Sequence, residues 1–400
     1  MSMNDTVSAE RLHIAFFGKR NAGKSSLVNA VTNQSISVVS DVSGTTTDPV
    51  KKTMELLPIG PVVIIDTPGF DDLGKLGDLR VKKTYDILAK TDIAIFVTTS
   101  DKLDTDENDF LELIKQRKKP YIIVQSKADL VNYKNSINGN AIKVSSLNKK
   151  GIEDLKNAIG KLAKTTKNEK KIVSDLLNAG DLAVLVTPID SSAPKGRLIL
   201  PQQQTLRDLL DAGCTAAVCQ PSELEQTLNN FKTPPKIIIT DSQAFGKVSK
   251  IVPNNIHLTS FSILFARYKG NLLTQIKGAS MLSKLCDGDK VLIAEGCTHH
   301  RQCGDIGTVK LPAWIKKFSG SSPDFTFTSG GEFPKDLTQY KLIVHCGGCM
   351  LNETEMKYRT ELSVLSNVPM VNYGVAIAHM NGILQRSLEI FPDALKALNL

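Results

Sequence analysis

The segment GKRNAGKS (residues 18–25) decides how the first third of the chain folds. It fits the pattern G-x-x-x-x-G-K-[ST] and stands between an apolar run, LHIAFFG (12–18), and a helical pattern, SSLVNAVTN (25–33). Glycines in such a loop let backbone N–H groups surround a phosphate, and the following helix adds its positive N-terminal end. The segment therefore predicts a strand, a phosphate-binding loop and a helix. The predicted nucleotide contacts of the loop are Gly18, Asn21, Ala22, Gly23, Lys24, Ser25 and Ser26.

Strand patterns and helix patterns alternate along the residues that follow this loop. The apolar runs are PVVIID (61–66), DIAIFVTT (92–99), YIIVQS (121–126) and AIKVSS (141–146). Such an alternation indicates a mainly parallel sheet with helices on both faces. We expect this α/β domain to span residues 1–170 and to end with a lysine-rich helix whose basic residues face solvent.

Three further motifs follow in the order that a guanine-nucleotide site requires. GTTTD (44–48) supplies Thr45, Thr46 and Thr47 to a loop that closes on Mg²⁺ and the γ-phosphate. DTPG (66–69) offers the Asp66 carboxylate to the Mg²⁺ shell and the Gly69 amide to the γ-phosphate. SKAD (126–129) and VSS (144–146) would hold the base through Ser126, Lys127, Asp129, Ser145 and Ser146. The motifs predict binding of GTP or GDP with Mg²⁺.

Hydrolysis of GTP is expected to depend on a lysine and on the residues that hold Mg²⁺. Lys24 would reach the β- and γ-phosphates, whereas Ser25, Thr46 and Asp66 would hold the Mg²⁺ ion. Phe70 occupies the position where many GTPases keep a water-orienting glutamine, so hydrolysis is expected to be slow or assisted by another element. Ser126 replaces the usual Asn or Thr of the base motif and, being shorter, is expected to tether that loop less tightly. The candidate catalytic residues are Lys24, Asp66 and Thr46.

Strand and helix patterns alternate in two further segments of the chain, and neither segment contains a phosphate loop. The second begins at LAVLVTPID (182–190), and a run predicted as strand-like, LTSFSILFARYKG (258–270), leads into the third. We expect a small α/β domain over residues 171–265 and another over 266–400. Because the strands of the second domain are strongly apolar, its sheet is expected to pair edge to edge with a second copy, which predicts a homodimer.

Composition excludes several classes of protein. The 400 residues hold only seven cysteines, too few for a disulfide-stapled secreted fold, and no apolar stretch reaches the length of a membrane helix. The net charge of +8 comes from scattered lysines with only 6% aromatic residues, so no nucleic-acid partner is expected. These features indicate a cytoplasmic protein without a membrane partner. Cys214, Cys219 and Cys286 are expected to be small buried hydrophobes.

The remaining cysteines cluster with histidines in the last third. Cys297-Thr-His299-His300 follows the strand pattern KVLIAEG, and His345-Cys346-Gly-Gly-Cys349 follows KLIVH. Thiolates and imidazoles at the ends of two strands predict a metal site. Three cysteines and a histidine suit either a tetrahedral zinc ion or an iron–sulfur cluster with one non-cysteine ligand, so both alternatives stay open at this point.

The N-terminal third resembles the TrmE–Era branch of GTPases through GKRNAGKSSLVNA and GTTTD. In that branch, the asparagine at the position of Asn21 contributes an oxygen to a K⁺ ion beside the phosphates. The resemblance therefore implies hydrolysis stimulated by potassium. A side-chain hydrogen bond that stabilises the loop is the alternative role for Asn21.

Over essentially its whole length, the chain resembles the HydF family of FeFe-hydrogenase maturation GTPases. The match rests on GTTTDPV, MELLPIGPV, CTHH and HCGGC. It implies three domains: a P-loop GTPase, a central dimerisation domain and a cluster-binding domain. It also implies a 4Fe–4S cluster on Cys297, Cys346 and Cys349, with His299 or His345 as the fourth ligand. Cys303 is a nearby thiol of this sequence that would compete as a ligand.

The same resemblance implies a role and partners. The protein would be a scaffold or carrier that holds a di-iron precursor of the hydrogenase active site and delivers it to apo FeFe hydrogenase. Radical S-adenosylmethionine enzymes, which build the precursor, would be further partners. The alternative function is a tRNA- or ribosome-associated GTPase of the Era or TrmE type with a structural zinc site.

Overall fold

The computed structural model divides the chain into two compact units, Met1–Glu169 and Lys170–Leu400. The structure describes residues 11–33, 49–57, 59–71, 75–134, 136–137, 141–166, 170–189, 196, 198–296, 305–348 and 350–398. Each unit is built from α/β layers.

The first unit contains a six-stranded sheet in its described part, with the strand order β2-β3-β1-β4-β5-β6. The strands are β1 (Leu12–Phe17), β2 (Val50–Leu56), β3 (Gly60–Asp66), β4 (Ile93–Thr98), β5 (Tyr121–Gln125) and β6 (Ile142–Lys143). All neighbours pair in parallel except β2, which runs antiparallel to β3 at the sheet edge. The mainly parallel sheet expected from the sequence is therefore confirmed, whereas β2 was not predicted.

Helices cover both faces of this sheet. They are α1 (Lys24–Thr32), α2 (Lys75–Lys90), α3 (Thr105–Gln116) and α4 (Ile152–Thr166). The central strands are apolar at nearly every position because each face packs against helices, which yields two separate cores. Helix α3 begins at a capping box, in which the Asp104 side chain accepts from the backbone N–H of Glu107.

The second unit holds two sheets of four described strands each. The first has the order β10-β9-β7-β8. Its elements are β7 (Leu182–Val186), α5 (Leu200–Asp211), β8 (Thr215–Cys219), α6 (Leu224–Asn229), β9 (Ile237–Thr240), α7 (Phe245–Ile251) and β10 (His257–Ser260). All its pairings are parallel. The strand order makes β8 and β10 the two edges of the sheet.

The other sheet has the order β12-β11-β13-β14 and is also parallel. Its elements are α8 (Phe261–Lys269), α9 (Leu272–Ala279), β11 (Lys290–Ala294), α10 (Leu311–Ser319), β12 (Asp324–Thr328), β13 (Leu342–His345), α11 (Glu353–Leu365), β14 (Met370–Asn372), α12 (Tyr373–Met380), α13 (Leu384–Leu388) and α14 (Pro392–Leu398). One apolar core joins the two sheets, since it includes Ile237 of β9, Val291 of β11 and residues of α8, α9 and α12.

Two sequence predictions for this unit are wrong. The run 258–270 is not one strand, because β10 ends at Ser260 and helix α8 begins at the next residue. The Ser260 hydroxyl caps that helix by accepting from the N–H of Ile263, which sets the boundary. Cys286 is exposed, whereas Cys214 and Cys219 are buried as expected. Among the described residues, no helix is both long and apolar enough to cross a bilayer.

Candidate functional site

The GKRNAGKS segment forms the loop between β1 and α1. Gly18 lies against β4, where a Cβ atom would come within 2.2 Å of the Val97 carbonyl oxygen, so only glycine fits. Gly23 has φ of +85°, a left-handed conformation that favours glycine, and α1 begins directly after it. Helix α1 therefore directs its N-terminal end, which carries a partial positive charge, at the loop.

The Lys24 ammonium lies across this loop. Its Nζ atom donates to the carbonyl oxygens of Lys19 at 2.7 Å and Gly18 at 3.0 Å, and the residue is 7% exposed. The side chain is therefore already directed back over the loop where the sequence pattern places the β- and γ-phosphates.

The two predicted Mg²⁺ ligands that the structure describes are in contact. Ser25 at the start of α1 donates its hydroxyl to the Asp66 carboxylate at the end of β3, with 2.6 Å between Oγ and Oδ2. Hydroxyl and carboxylate oxygens are ligands that Mg²⁺ prefers, so the pair fits the ion. The three threonines of the predicted closing loop, Thr45, Thr46 and Thr47, lie outside the described residues.

An acidic residue beyond DTPG also reaches the loop. Asp71 accepts from the backbone N–H of Arg20 at 2.7 Å, and Gly69 lies between these two residues. Phe70 turns inward and stacks on Phe110 with 4.5 Å between ring centroids. Phe70 is thus a core residue, whereas the contact of Asp71 with the phosphate loop was not predicted from the sequence.

The predicted base loop is attached directly to the phosphate loop. The Ser126 hydroxyl donates to the Ala22 carbonyl oxygen at 2.5 Å, and the Tyr133 hydroxyl donates to the Ser126 carbonyl oxygen. Burial, together with the charges of Asp101 and Asp129, raises the pKa of Tyr133 to about 12, so its hydroxyl stays a donor at neutral pH. The serine at position 126 therefore tethers the base loop to the phosphate loop through its hydroxyl.

The other predicted base-binding residues surround that tether. Lys127 has φ of 55° and lies beside Gly23, and Asp129 is exposed at the surface. The N–H of Ala128 donates to the Val144 carbonyl oxygen, which brings SKAD next to buried Ser145 and half-buried Ser146. Asn21, the predicted potassium residue, is exposed with φ of 55°.

The described cysteine of the HCGGC segment lies at the carboxyl edge of the last sheet. Ala294 of β11 pairs with His345 of β13, and the Cys346 N–H donates to the Ala294 carbonyl oxygen. The Cys346 sulfur accepts from two backbone amides, those of Gly296 at 3.0 Å and Gly348 at 3.4 Å. Backbone N–H groups directed at a sulfur stabilise a thiolate, so Cys346 fits a metal or cluster ligand.

Three further predicted ligands and the competing thiol fall outside the described part of the chain. Cys297, His299, Cys303 and Cys349 lie outside the described residues. Across the described part of the chain, no group of three His, Cys, Asp or Glu side chains is arranged to hold a metal ion. Strand pairing nevertheless brings Gly296, the residue before Cys297, into contact with Cys346. We call residues 346–351, apart from residue 349, the cysteine turn.

His345, a predicted fourth ligand, has both ring nitrogens engaged with protein atoms. Its Nε2 atom is 2.9 Å from the Arg359 guanidinium, and its Nδ1 atom is 2.7 Å from the Cys346 carbonyl oxygen. The residue is completely buried. In this arrangement neither nitrogen is available to a metal, and sequence reasoning did not identify Arg359.

A second polar group borders the cysteine turn. The Tyr373 hydroxyl is 3.4 Å from the Glu295 carboxylate, and both residues follow the ends of strands in this sheet. Burial, and then the negative charges of Glu295, Cys346 and Asp305, raise the pKa of Tyr373. The hydroxyl is therefore protonated at the edge where Cys346 lies.

Comparisons with protein families cover most of the chain. Residues 13–127 match the model of a 50S ribosome-binding GTPase. Residues 172–270 match the hydrogen maturase F dimerization domain, and residues 273–390 match the hydrogen maturase F tetramerization domain. Together the last two matches span more than half of the 400 residues.

Individual relatives match only part of the chain. The tRNA modification GTPase MnmE of Mycoplasma mobile is 34% identical over 143 residues, which are 36% of this chain and 32% of that protein. MnmE of a Thermoanaerobacter species is 32% identical over 167 residues, 40% of this chain and 36% of that protein. The chain thus spans about a third of the length of these relatives. Era of Aquifex aeolicus, solved with GDP and AlF4⁻, is 15% identical with a TM-score of 0.34, over 60% of this chain and 97% of that one.

Proposed function

The chain belongs to the hydrogen maturase F family, and on that premise we propose that it is a GTP-hydrolysing scaffold that carries an iron–sulfur cluster during the maturation of FeFe hydrogenase. The observation that carries the proposal is the Cys346 sulfur, which accepts two backbone amides in a chain that also holds a complete phosphate-binding loop. The proposal also includes three domains, with limits at residues 1–170, 171–265 and 266–400, and a cytoplasmic location.

The proposed GTPase reaction uses the groups gathered around the phosphate loop. Lys24 neutralises charge on the β- and γ-phosphates, while Ser25 and Asp66 hold Mg²⁺, joined by Thr46 when the loop closes. Asp129 pairs with the guanine N–H groups, and Lys127 lies over the ring. Hydrolysis is slow because Phe70 is packed in the core and cannot orient water. A K⁺ ion held by Asn21 would supply the additional positive charge.

The proposed cluster is a 4Fe–4S centre on the thiolates of Cys297, Cys346 and Cys349. When bound, such a centre offers one iron whose fourth ligand can be exchanged. His299 remains a candidate for that position, whereas His345 would first have to leave Arg359. We propose that the cargo, a di-iron precursor, binds at this open position. The radical S-adenosylmethionine enzymes would supply this cargo, and apo FeFe hydrogenase would receive it.

The oligomeric state forms part of the same proposal. The second domain has two strand edges, β8 and β10, and one of them can pair with its symmetry mate to form a homodimer. Residues 172–270 match a dimerization domain by name, which supports this assignment. Light scattering of the full chain measures the assembly, and a monomer at tens of micromolar would contradict it.

An activation assay tests the function. The full chain is reconstituted anaerobically with iron and sulfide, loaded by the radical enzymes, separated from them and mixed with apo FeFe hydrogenase. We expect a brown protein that restores hydrogen evolution. A colourless protein that holds zinc would instead support the tRNA- or ribosome-associated alternative, and a brown protein that never activates hydrogenase would contradict the carrier role alone.

A further inference from the structure

Arg359 is a buried cation directly behind the cysteine turn. It lies on α11 with 1% of its surface exposed. Its Nη2 atom donates to the Glu355 carboxylate at 2.5 Å and to the Gly330 carbonyl oxygen at 2.8 Å, and its guanidinium lies 5.0 Å from the ring centroid of Phe333. A charge buried this deeply destabilises the fold unless it is well paired. The Glu355 carboxylate and the Gly330 carbonyl oxygen supply that pairing for Arg359.

That geometry fixes the tautomer of His345. The Arg359 Nη1 atom can only donate, so His345 Nε2 accepts, and the ring proton resides on Nδ1. Nδ1 then donates to the Cys346 carbonyl oxygen at 2.7 Å. Through His345, the guanidinium thus sets the direction of the peptide group that follows Cys346.

A second buried cation holds the other end of the turn. Lys269, the last residue of α8, is 4% exposed. Its Nζ atom donates to the carbonyl oxygens of Gly348 at 3.2 Å and Leu351 at 3.1 Å. His345 at the end of β13 and Lys269 at the end of α8 therefore donate to carbonyl oxygens at the two ends of the cysteine turn.

This division of polar groups has a chemical consequence. The carbonyls of Cys346, Gly348 and Leu351 are bonded to His345 and Lys269. The Cys346 sulfur instead accepts from amide N–H groups. Negative carbonyl oxygens are drawn away from the sulfur while positive N–H groups approach it, as a thiolate ligand requires.

We propose that Arg359, acting through His345, and Lys269 are positioning residues that hold the cysteine turn ready for a metal cluster, and that His345 supports the turn without binding iron. The proposal rests on the proposed function for the identity of the cluster. The hydrogen bonds that hold the turn join only protein atoms, and so they can be tested separately in iron-free protein.

The first experiment uses the iron-free chain. Hydrogen–deuterium exchange by mass spectrometry compares the peptide spanning residues 342–351 in the wild type, Arg359→Met, Lys269→Met and the control Lys357→Met. Lys357 lies on the same helix but is 47% exposed and pairs only at the surface with Glu353. Exchange should be about tenfold faster in the first two variants, the scale for one charge-assisted hydrogen bond. Exchange at the wild-type rate in both would overturn the proposal.

The second experiment uses reconstituted protein. His345→Gln keeps an acceptor for Arg359, so it should retain the wild-type iron content and a cluster signal. In wild-type protein labelled with ¹⁵N-histidine, pulsed electron paramagnetic resonance should show no strongly coupled nitrogen from His345. A nitrogen coupling that disappears in His345→Gln would show direct ligation and overturn the proposal.

Conservative replacement separates positioning from folding. Arg359→Met should bind several-fold less iron and shift the cluster g values, and Arg359→Lys should recover part of both. If Arg359→Met fails to fold, Lys269→Met tests the proposal instead. It should show faster exchange and lower iron content than the wild type, and wild-type values of both would overturn the proposal. A wild-type chain that binds no iron would refute the cluster proposal. The exchange comparison in the iron-free chain would still test whether Arg359 and Lys269 hold the cysteine turn in place.

Discussion

The phosphate loop and the cysteine turn are each held by a buried lysine, but the two lysines lie at different distances along the sequence from the loops that they contact. Both follow the carboxyl end of a parallel strand, and in both a buried lysine donates to carbonyl oxygens of the loop. Lys24 lies six positions after the Gly18 carbonyl that it contacts. Lys269 lies 79 positions before Gly348, on another helix.

This difference has consequences for motion and binding. A lysine that begins the helix after its own loop can exchange carbonyl oxygens for phosphate oxygens, which are stronger acceptors. Lys269 instead belongs to helix α8, which is far in sequence from the cysteine turn whose carbonyl oxygens it contacts. The first arrangement suits a ligand that comes and goes, and the second suits a turn that must keep one shape.

The largest expected effect comes from Lys24→Ala. Removing the ammonium should lower GTP hydrolysis at saturating GTP by about 10²- to 10³-fold, because it stabilises developing phosphate charge. Phosphate release measures the rate, and Lys269→Met serves as the matched control with unchanged turnover. Wild-type hydrolysis by Lys24→Ala would show that the two lysines do not differ in the way described.

Lys269→Met is the reciprocal change. The Gly348 and Leu351 carbonyls lose a charged donor, so the second unit should become less stable by about 2 kcal/mol. Thermal unfolding followed by circular dichroism measures this loss, with the exposed Lys357→Met as control. Equal melting of the two variants would contradict a structural role for the buried ammonium.

Potassium tests how far the phosphate loop depends on a cation that is not part of the chain. Replacing K⁺ by Na⁺ should slow hydrolysis by about tenfold in the wild type, since K⁺ beside the phosphates replaces an arginine finger. The same replacement should matter little in Asn21→Ala. Identical wild-type rates in both salts would leave Asn21 with only a role in the shape of the loop.

Ser126→Ala should produce the smallest effect. It removes the hydroxyl that donates to Ala22, and one hydrogen bond of about 1 kcal/mol corresponds to roughly fivefold weaker GTP binding. Tyr133→Phe, which removes the donor to the Ser126 carbonyl, should weaken binding similarly or less. Isothermal titration compares the three proteins. Unchanged affinity in both variants would show that the tether does not influence nucleotide binding.

The same contrast explains what the sequence could predict. The strand–loop–helix around Lys24 was predictable because its residues are close in sequence and its glycines have fixed roles. The tripartite α/β fold followed from the alternation of strand and helix patterns. Arg359 and Lys269 were not predictable, because nothing in their local sequence shows that they meet the cysteine turn. Strand β2 was missed because its exposed, polar edge position lacks the apolar run of a buried strand.

The most direct test of the account combines two readouts on one pair of variants. Cys346→Ala removes the sulfur that accepts the Gly296 and Gly348 amides, and Cys286→Ala removes an exposed thiol from the same unit. After anaerobic reconstitution, we expect Cys346→Ala to lose the 4Fe–4S signal and hydrogenase activation while it hydrolyses GTP at the wild-type rate. Cys286→Ala should keep all three properties. A full 4Fe–4S signal in Cys346→Ala would contradict the central claim that this turn holds the cluster.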